Sequence, residues 1–561
     1  MNPINFDFHN CYSSVRLPVF ARNAVATSHP LAAQAGLRML WKGGNAVDAA
    51  IACAAAMTIV EPVSNGLGSD AFCILWDGKE LHGLNSSGPA PASWTVDYFR
   101  RRYGADASTP PKRGFDSVTV PGAVASWVAL SKRFGKLAFA DLLEPAIEIA
   151  ERGYLLPVVA RQKWADATPE LGSLPGFAQS FLPWGRAPRV GELFQFKAAA
   201  RALRAIGETK GAAFYGGEIA QAVEKFAAAN GGTITALDFA AFKPQWVKPI
   251  GKEYRGYMLH EIPPNGQGIA ALMALGILKN FDVAGLPVDG ADSQHLQIEA
   301  MKLAFADVYR YVSEPRTMEV TPQQMLDDAY LASRARLIDM KRAQDFGAGN
   351  PVKGGTIYLT AADERGMMVS FIQSNYMGFG SGCVEPSFGI SLQNRGHGFS
   401  LQEGPNQVAP GKRPFHTIIP AFLSRPQAAS HPLPLAEGRG EEDLTVTGVE
   451  PVMSFGVMGG NMQPQGHMQT LVRMLDYGQN PQAACDAPRW RFNKGVEINA
   501  ERQLEADTVR TLKERGHRIE VLEDSYQDFG AGQFIWRAGD PKVEGYLCAS
   551  DPRRDGLVAG F

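Results

Sequence analysis

The sequence predicts one mixed fold of helices and strands, built by two consecutive segments of the chain. Three observations carry this. Helical periodicity dominates the residues before Thr356, strand patterns separated by turns dominate those after it, and the two meet at Lys353-Gly354-Gly355-Thr356, which opens directly onto a hairpin pattern.

Taken in order, the first element is the run Ala49 to Val60, which follows Gly43-Gly44-Asn45. It is rich in alanine, the best helix former. It is too short to span a bilayer, so it reads as a buried core helix. Leu142 to Glu151, Ala198 to Ile206 and Ser293 to Val312 follow as helices; in the last, Leu296, Ala300, Leu303 and Ala304 recur at core-stripe spacing. Past Thr356, Ile357 to Asp363 and Met367 to Ser374 are two apolar runs flanking Glu364-Arg365-Gly366, a β-hairpin pattern. Thr417-Ile418-Ile419 and Val452 to Phe455 read as further strands. Between them Ser424 to Glu450, rich in Pro, Gly and acidic residues, reads as a disordered surface insertion. No internal repeat stands out.

At 561 residues the chain exceeds one ordinary core. A 45% apolar and 20% charged composition is that of a globular protein, and a net charge of −2 provides no basic field for nucleic acid. Cys11, Cys53, Cys73, Cys383, Cys485 and Cys548 lack CxxC spacing, which argues against a zinc site and a disulfide framework. No HExxH or paired-Asp motif suggests a metal. The start, Met1-Asn2-Pro3-Ile4-Asn5-Phe6-Asp7, has neither a cationic stretch nor an apolar core, so a cytoplasmic protein without membrane or nucleic-acid partners is expected.

The hairpin carries the chemistry. With Glu364-Arg365-Gly366 as the turn, Asp363 faces Met367, and counting outward brings Thr356 opposite Ser374. Opposed residues in an antiparallel pair share a face, with Cβ atoms about 4.5–5.5 Å apart. Two hydroxyls thus converge behind a glycine pair whose backbone admits close approach. Such a threonine can attack the Gly355 carbonyl through its own hydroxyl, pass through an ester and, after hydrolysis, become a new N-terminus. Its freed α-amine then serves as the base for its own hydroxyl.

The rest of the chain supplies an ordered set of motifs. His29-Pro30-Leu31-Ala32 leads into Gly43-Gly44-Asn45-Ala46-Val47-Asp48-Ala49-Ala50, followed by Val60-Glu61-Pro62, Gly66-Leu67-Gly68 and Val120-Pro121-Gly122. Glu299-Ala300-Met301-Lys302 and Ala304-Phe305-Ala306-Asp307 come next. After Thr356 stand Phe379-Gly380-Ser381-Gly382, Gly411-Lys412-Arg413-Pro414 and Met458-Gly459-Gly460. From about residue 20 onward the chain resembles the gamma-glutamyltranspeptidase family of N-terminal-nucleophile hydrolases. The resemblance implies an α+β fold, an αββα four-layer sandwich formed by residues 1–355 and 356–561 of one precursor. It implies self-cleavage between Gly355 and Thr356, a heterodimer of the two fragments, which could oligomerise further, and no cofactor. It also places the oxyanion hole at Gly459-Gly460, where loss of one donor typically costs about 2.7–4 kcal/mol. Ser374 matches a hydroxyl that supports the nucleophile, the pairing the hairpin count also reaches.

Substrate recognition departs from that family. The arginine that would bind a glutamyl α-carboxylate falls at Ser87. The residues that would meet the α-amine become Arg395 and Gly398, within Gln393-Asn394-Arg395-Gly396-His397-Gly398. A two-serine carboxylate contact becomes His416-Thr417, and Tyr376 replaces an expected asparagine. His416 reads as pocket lining, because the Thr356 amine already supplies a base. Arg395 puts a cation where an ammonium was read, which suits an acyl group with a carboxylate and no amine. These patterns, with Asn394 and Arg413-Pro414-Phe415-His416-Thr417, resemble a divergent branch that includes oxamate amidohydrolase-like and acylase-like members. The expected activity is an N-terminal-threonine amidohydrolase or acyltransferase on a small-molecule amide. The alternatives are a genuine gamma-glutamyltransferase acting on glutathione, and an unprocessed binding or scaffold protein.

Overall fold

The computed structural model describes residues 16–347, 355–426, 448–523 and 528–561. Two antiparallel seven-stranded sheets lie at its centre. The first runs, in spatial order, Leu557–Gly560, Ala24–Thr27, Gly355–Ala362, Met368–Tyr376, Asp70–Trp76, Leu81–Ser86 and Gln245–Val247. The second runs Val19–Ala21, Tyr546–Ser550, Ala531–Arg537, Val449–Met458, Ala421–Pro426, Tyr257–Glu261 and Ile250–Tyr254. Each sheet is therefore woven from residues on both sides of Thr356.

Side chains alternate along a strand, so each strand feeds two cores. Ile357, Leu359 and Ala361 point into a helical layer with Ala46–Val60 and Phe139–Arg152. Tyr358 and Ala362 point the other way and meet Phe72, Ile372, Phe422, Met458 and Ile535 between the sheets. The second sheet packs its outer face against the helices Ile269–Leu278, Ala291–Tyr311 and Met462–Leu475. The layers are thus α, β, β, α, the α+β architecture expected of an N-terminal-nucleophile hydrolase.

The alanine-rich helix spans Ala46–Val60 and is buried on every side, as an all-apolar helix must be. Asn45 caps it: Asp48 N–H donates to Asn45 Oδ1 at 3.0 Å and Asn45 N–H donates to Asp48 Oδ2 at 2.9 Å, a box of the kind that typically contributes about 1 kcal/mol. Ala46 N–H donates to Asp363 Oδ2 at 3.0 Å, tying the helix start to the hairpin turn. The other expected helices are Phe139–Arg152 and Lys197–Glu208, each a few residues longer than its apolar pattern, and Ala291–Tyr311, which starts two residues before its pattern and ends one before it.

Two expectations need correction. Thr417-Ile418-Ile419 is not strand; the strand begins at Ala421. Ile419 N–H is taken by a side chain, the Gln463 amide oxygen at 2.9 Å, so these β-branched residues line a loop. The ends of Ser424 to Glu450 are not an insertion either, because Ser424, Arg425 and Pro426 pair with Pro451, Glu450 and Val449. Residues 427–447 lie outside the described residues. Cys53, Cys73, Cys383, Cys485 and Cys548 are buried free thiols, and Cys11 lies outside the described residues. Among the described residues no helix is long and apolar enough to cross a membrane.

Candidate active site

The hairpin register runs Ala362↔Met368 through Ile357↔Gln373, with a bulge before Gly355↔Tyr376. Continued by one step it sets Thr356 opposite Ser374, and in the next strand Ser374 pairs with Asp70. Thr356, Ser374 and Asp70 therefore form a row across three strands, on the face turned toward the second sheet. Thr356 Oγ1–H donates to Ser374 Oγ at 3.2 Å. Ser374 Oγ also accepts from Tyr376 N–H at 2.8 Å. Thr356 is 2% exposed.

The second sheet supplies the facing wall. Its strand Val449–Met458 ends in Gly459-Gly460, with φ of 122° and 60°, a backbone path that a residue with Cβ adopts only under strain. The helix Met462–Leu475 starts immediately after. Gln267 Nε2 donates to Gly460 O at 2.9 Å and to Thr417 O at 2.6 Å, bolting this turn to the neighbouring loop.

Arg395 closes the site from a short helical turn, Arg395–Gly398. It is 1% exposed, its Nη1 donates to Thr417 Oγ1 at 2.7 Å, and its Nε and Nη2 have no hydrogen-bond partner. Its Cζ stands 4.5 Å over the Tyr376 ring, an attractive cation–π geometry. Tyr376 holds that place at φ 77°, a strained value for a bulky side chain. Burial pulls the Arg395 guanidinium down to about 10, against the opposing pull of Asp70.

Burial pushes the Asp70 carboxyl up to about 7, with Arg395 acting in the opposite sense. Asp70 Oδ1 accepts from the backbone of Gly88 and Gly122, and Oδ2 from His416 Nε2 at 3.2 Å. His416 Nδ1 accepts from Ile418 N–H, which leaves the ring proton on Nε2. Burial holds His416 well below its ordinary value, so the ring is neutral.

The remaining expected residues are placed as follows. Asn394 spends its amide on backbone: Oδ1 accepts from Met377 N–H at 3.1 Å and Nδ2 donates to Lys112 O at 2.8 Å. Ser87 Oγ accepts from Asn265 Nδ2 at 3.0 Å, and Arg413 Nε donates to Ser87 O at 2.8 Å. A guanidinium thus stands beside Ser87. Asp70, Gln267 and Gln463 were not among the expected site residues; Gln463 Nε2 lies 3.5 Å from Thr356 Oγ1.

A second buried cluster lies under the segment that leads toward residue 347. The ligand-type atoms of His295, Glu299 and His517 lie within 4.8 Å of one another. Lys302 Nζ, 2.6 Å from Glu299 Oε1, already provides a cation there. His295 Nε2 faces Asp339 O at 2.9 Å, while Lys302 Nζ donates to Gln344 O at 3.0 Å and Glu299 Oε2 accepts from Gln344 N–H at 3.2 Å.

Comparison with known proteins identifies the family of this chain. The gamma-glutamyltranspeptidase family model matches residues 32–433 and 444–561. The chain belongs to that family. It is 36% identical to the glutathione hydrolase-like YwrD proenzyme of Bacillus subtilis over 96% of this chain and 98% of that one. It is 34% identical to the oxamate amidohydrolase proenzyme of Klebsiella pneumoniae, again over 96% and 98%. A crystal structure of cephalosporin acylase from Bacillus halodurans superposes with a TM-score of 0.90 at 45% identity, covering 100% of this chain and 99% of that one. As a member of the gamma-glutamyltranspeptidase family the chain is an enzyme, and the αββα layers described above are the family's fold.

Proposed function

We propose that this chain is a self-processing N-terminal-threonine amidohydrolase. One observation carries the proposal: Thr356 Oγ1 follows Gly355 directly and sits 3.2 Å from Ser374 Oγ at the open end of the hairpin. In maturation, Thr356 Oγ1 adds to the Gly355 carbonyl carbon and its proton passes toward Ser374. The Gly355–Thr356 C–N bond breaks as that nitrogen is protonated, leaving an ester. Water hydrolyses the ester to a Gly355 carboxylate and a free Thr356 hydroxyl and amine. In turnover the amine takes the hydroxyl proton, an acyl-Thr356 ester forms as the substrate amine leaves, and water releases the acid. The Gly459-Gly460 backbone is the proposed oxyanion hole.

The proposed acyl group carries a carboxylate and no α-ammonium. Arg395 supports this, with two nitrogens of a buried cation unpartnered; a carboxylate matches that fork. The oxamate amidohydrolase and cephalosporin acylase relatives agree with a non-glutamyl acyl group. A second reading, hydrolysis of gamma-glutamyl amides, is favoured by Arg413 beside Ser87, which restores a cation to the glutamyl carboxylate position.

Denaturing electrophoresis of the purified protein tests the first claim. Fragments of 355 and 206 residues are expected, the smaller beginning Thr-Ile-Tyr-Leu. A single persistent chain, or another start on sequencing, refutes it. Comparing kcat/KM for a glutaryl anilide, the matching gamma-glutamyl anilide and oxamate tests the second. A clear preference for the gamma-glutamyl anilide would hand the site to the alternative.

A further inference from the structure

Gln463 is fully buried at the start of the helix Met462–Leu475, and it is the one residue of the facing sheet's turn-and-helix unit that the described hydrogen bonds connect to the Thr356 side chain. Its amide has a determined orientation. Ile419 N–H is a donor and lies 2.9 Å from one end, so that end must be the carbonyl oxygen. The other end, 3.5 Å from Thr356 Oγ1, is therefore the NH2 group. Gln463 N–H also donates to Gly460 O at 3.2 Å, so the residue that reaches the threonine belongs to the proposed oxyanion turn.

The Thr356 hydroxyl thus has two unlike neighbours. It donates to Ser374 Oγ at 3.2 Å and faces a donor on Gln463. The N–H on the oxygen's lone-pair side turns the O–H toward Ser374, the direction in which the proton leaves in the proposed maturation step. We propose that Gln463 is a catalytic residue that donates a hydrogen bond to Thr356 Oγ1 whenever that oxygen carries negative charge. This rests on the proposed role of Thr356.

Charge appears on Oγ1 at two moments. One is the attack on a carbonyl, when the O–H bond weakens ahead of the new C–O bond. The other is deacylation, when water adds to the acyl-ester carbon and the C–Oγ1 bond breaks with its electron pair on Oγ1, which then takes a proton. A contact that is long in the resting chain shortens as that charge grows, as is usual for catalytic hydrogen bonds before reaction. The neutral amide suits the role. It cannot take the proton from Oγ1, and buried between two sheets it costs no charge desolvation.

The test is Gln463→Glu, which keeps the shape and the acceptor for Ile419 N–H but replaces the donor by a carboxylate. Self-cleavage is followed as fragment appearance after synthesis, and turnover as leaving-group release on a chromogenic anilide. On the order of a tenfold slowing of both is expected from the loss of one hydrogen bond. The melting temperature is followed in parallel, because a carboxylate in this fully buried place carries a desolvation cost that the amide does not. Should Gln463→Glu fail to fold, Gln463→Met, similar in length and without a donor, decides on the same readouts. Parent-like maturation and release refute the proposal, and so does loss of folding in both variants, which would make Gln463 a packing residue. Thr356→Ala separates the two layers of inference. If it still yields two fragments, the threonine reading falls; if it stays whole while Gln463→Glu matures normally, only the Gln463 role falls.

Discussion

The proposed bond-breaking end of the site and its proposed recognition end are built differently. Thr356, Ser374 and Asp70 sit in one row across three paired strands, so backbone hydrogen bonds fix their spacing. Arg395, Ser87, His416 and Thr417 sit on a short helical turn and on loops, held by side-chain contacts such as Arg395 to Thr417 and His416 to Asp70. A sheet row tolerates little change, whereas loops exchange residues freely. The contrast fits a family whose members carry names as different as glutathione hydrolase-like proenzyme, oxamate amidohydrolase and cephalosporin acylase.

The largest expected effect breaks the sheet end. Thr356→Ala should remain one chain on denaturing gels and lose activity by several orders of magnitude, because the proposed nucleophile and base come from the same residue. Two bands, or residual turnover near the parent's, would move the chemistry away from this row. Next comes the loop end. Arg395→Ala should lower kcat/KM for a glutaryl anilide by roughly ten- to a hundredfold, the value of one charged hydrogen bond. The loss on a matching neutral acyl anilide should be much smaller, and equal losses on both would make Arg395 a packing residue. Ser374→Ala should slow maturation by about tenfold through loss of the hydroxyl contact, while Ser374→Thr is tolerated. Time courses of fragment appearance distinguish them.

The smallest effect is read in pH. The carboxyl of Asp70 titrates near 7 in the fold against about 3.9 in an unfolded chain. The fold therefore binds this proton more tightly. The stabilisation is complete below about pH 4 and is lost as pH rises through about 7. The melting temperature of the parent should fall relative to Asp70→Asn across that window, and parallel curves would remove Asp70 from the balance.

The sheet end was legible in the sequence and the loop end only in part, for the same reason. A two-residue period and a three-residue turn are enough to set Thr356 against Ser374, since strand register is local arithmetic. Asp70 joins the row from a strand nearly three hundred positions earlier, by a pairing no local pattern encodes. Gln463 is likewise invisible until the second sheet is stacked on the first. Its sequence signal was an unremarkable polar residue shortly after Gly459-Gly460. Thr417-Ile418-Ile419 misled because β-branched residues favour strands, while here a side chain takes the Ile419 N–H. Arg395 was legible as a cation, but its burial and two unpartnered nitrogens follow only from the packing around Tyr376.

The weaving of both sheets from residues before and after Thr356 has a consequence for how the enzyme comes into being. Cut after Gly355, the first piece holds strands at both edges of the second sheet and at four positions of the first, and the remainder fills the gaps. Neither piece holds either seven-stranded sheet complete. Translated from two separate genes, they would meet as partial sheets with open hydrogen-bonding edges, the surfaces most prone to pair with the wrong chain. Under the proposed cleavage, continuity of the polypeptide up to that moment would act as an assembly jig, used once, after which the finished sheets would hold the two pieces in place.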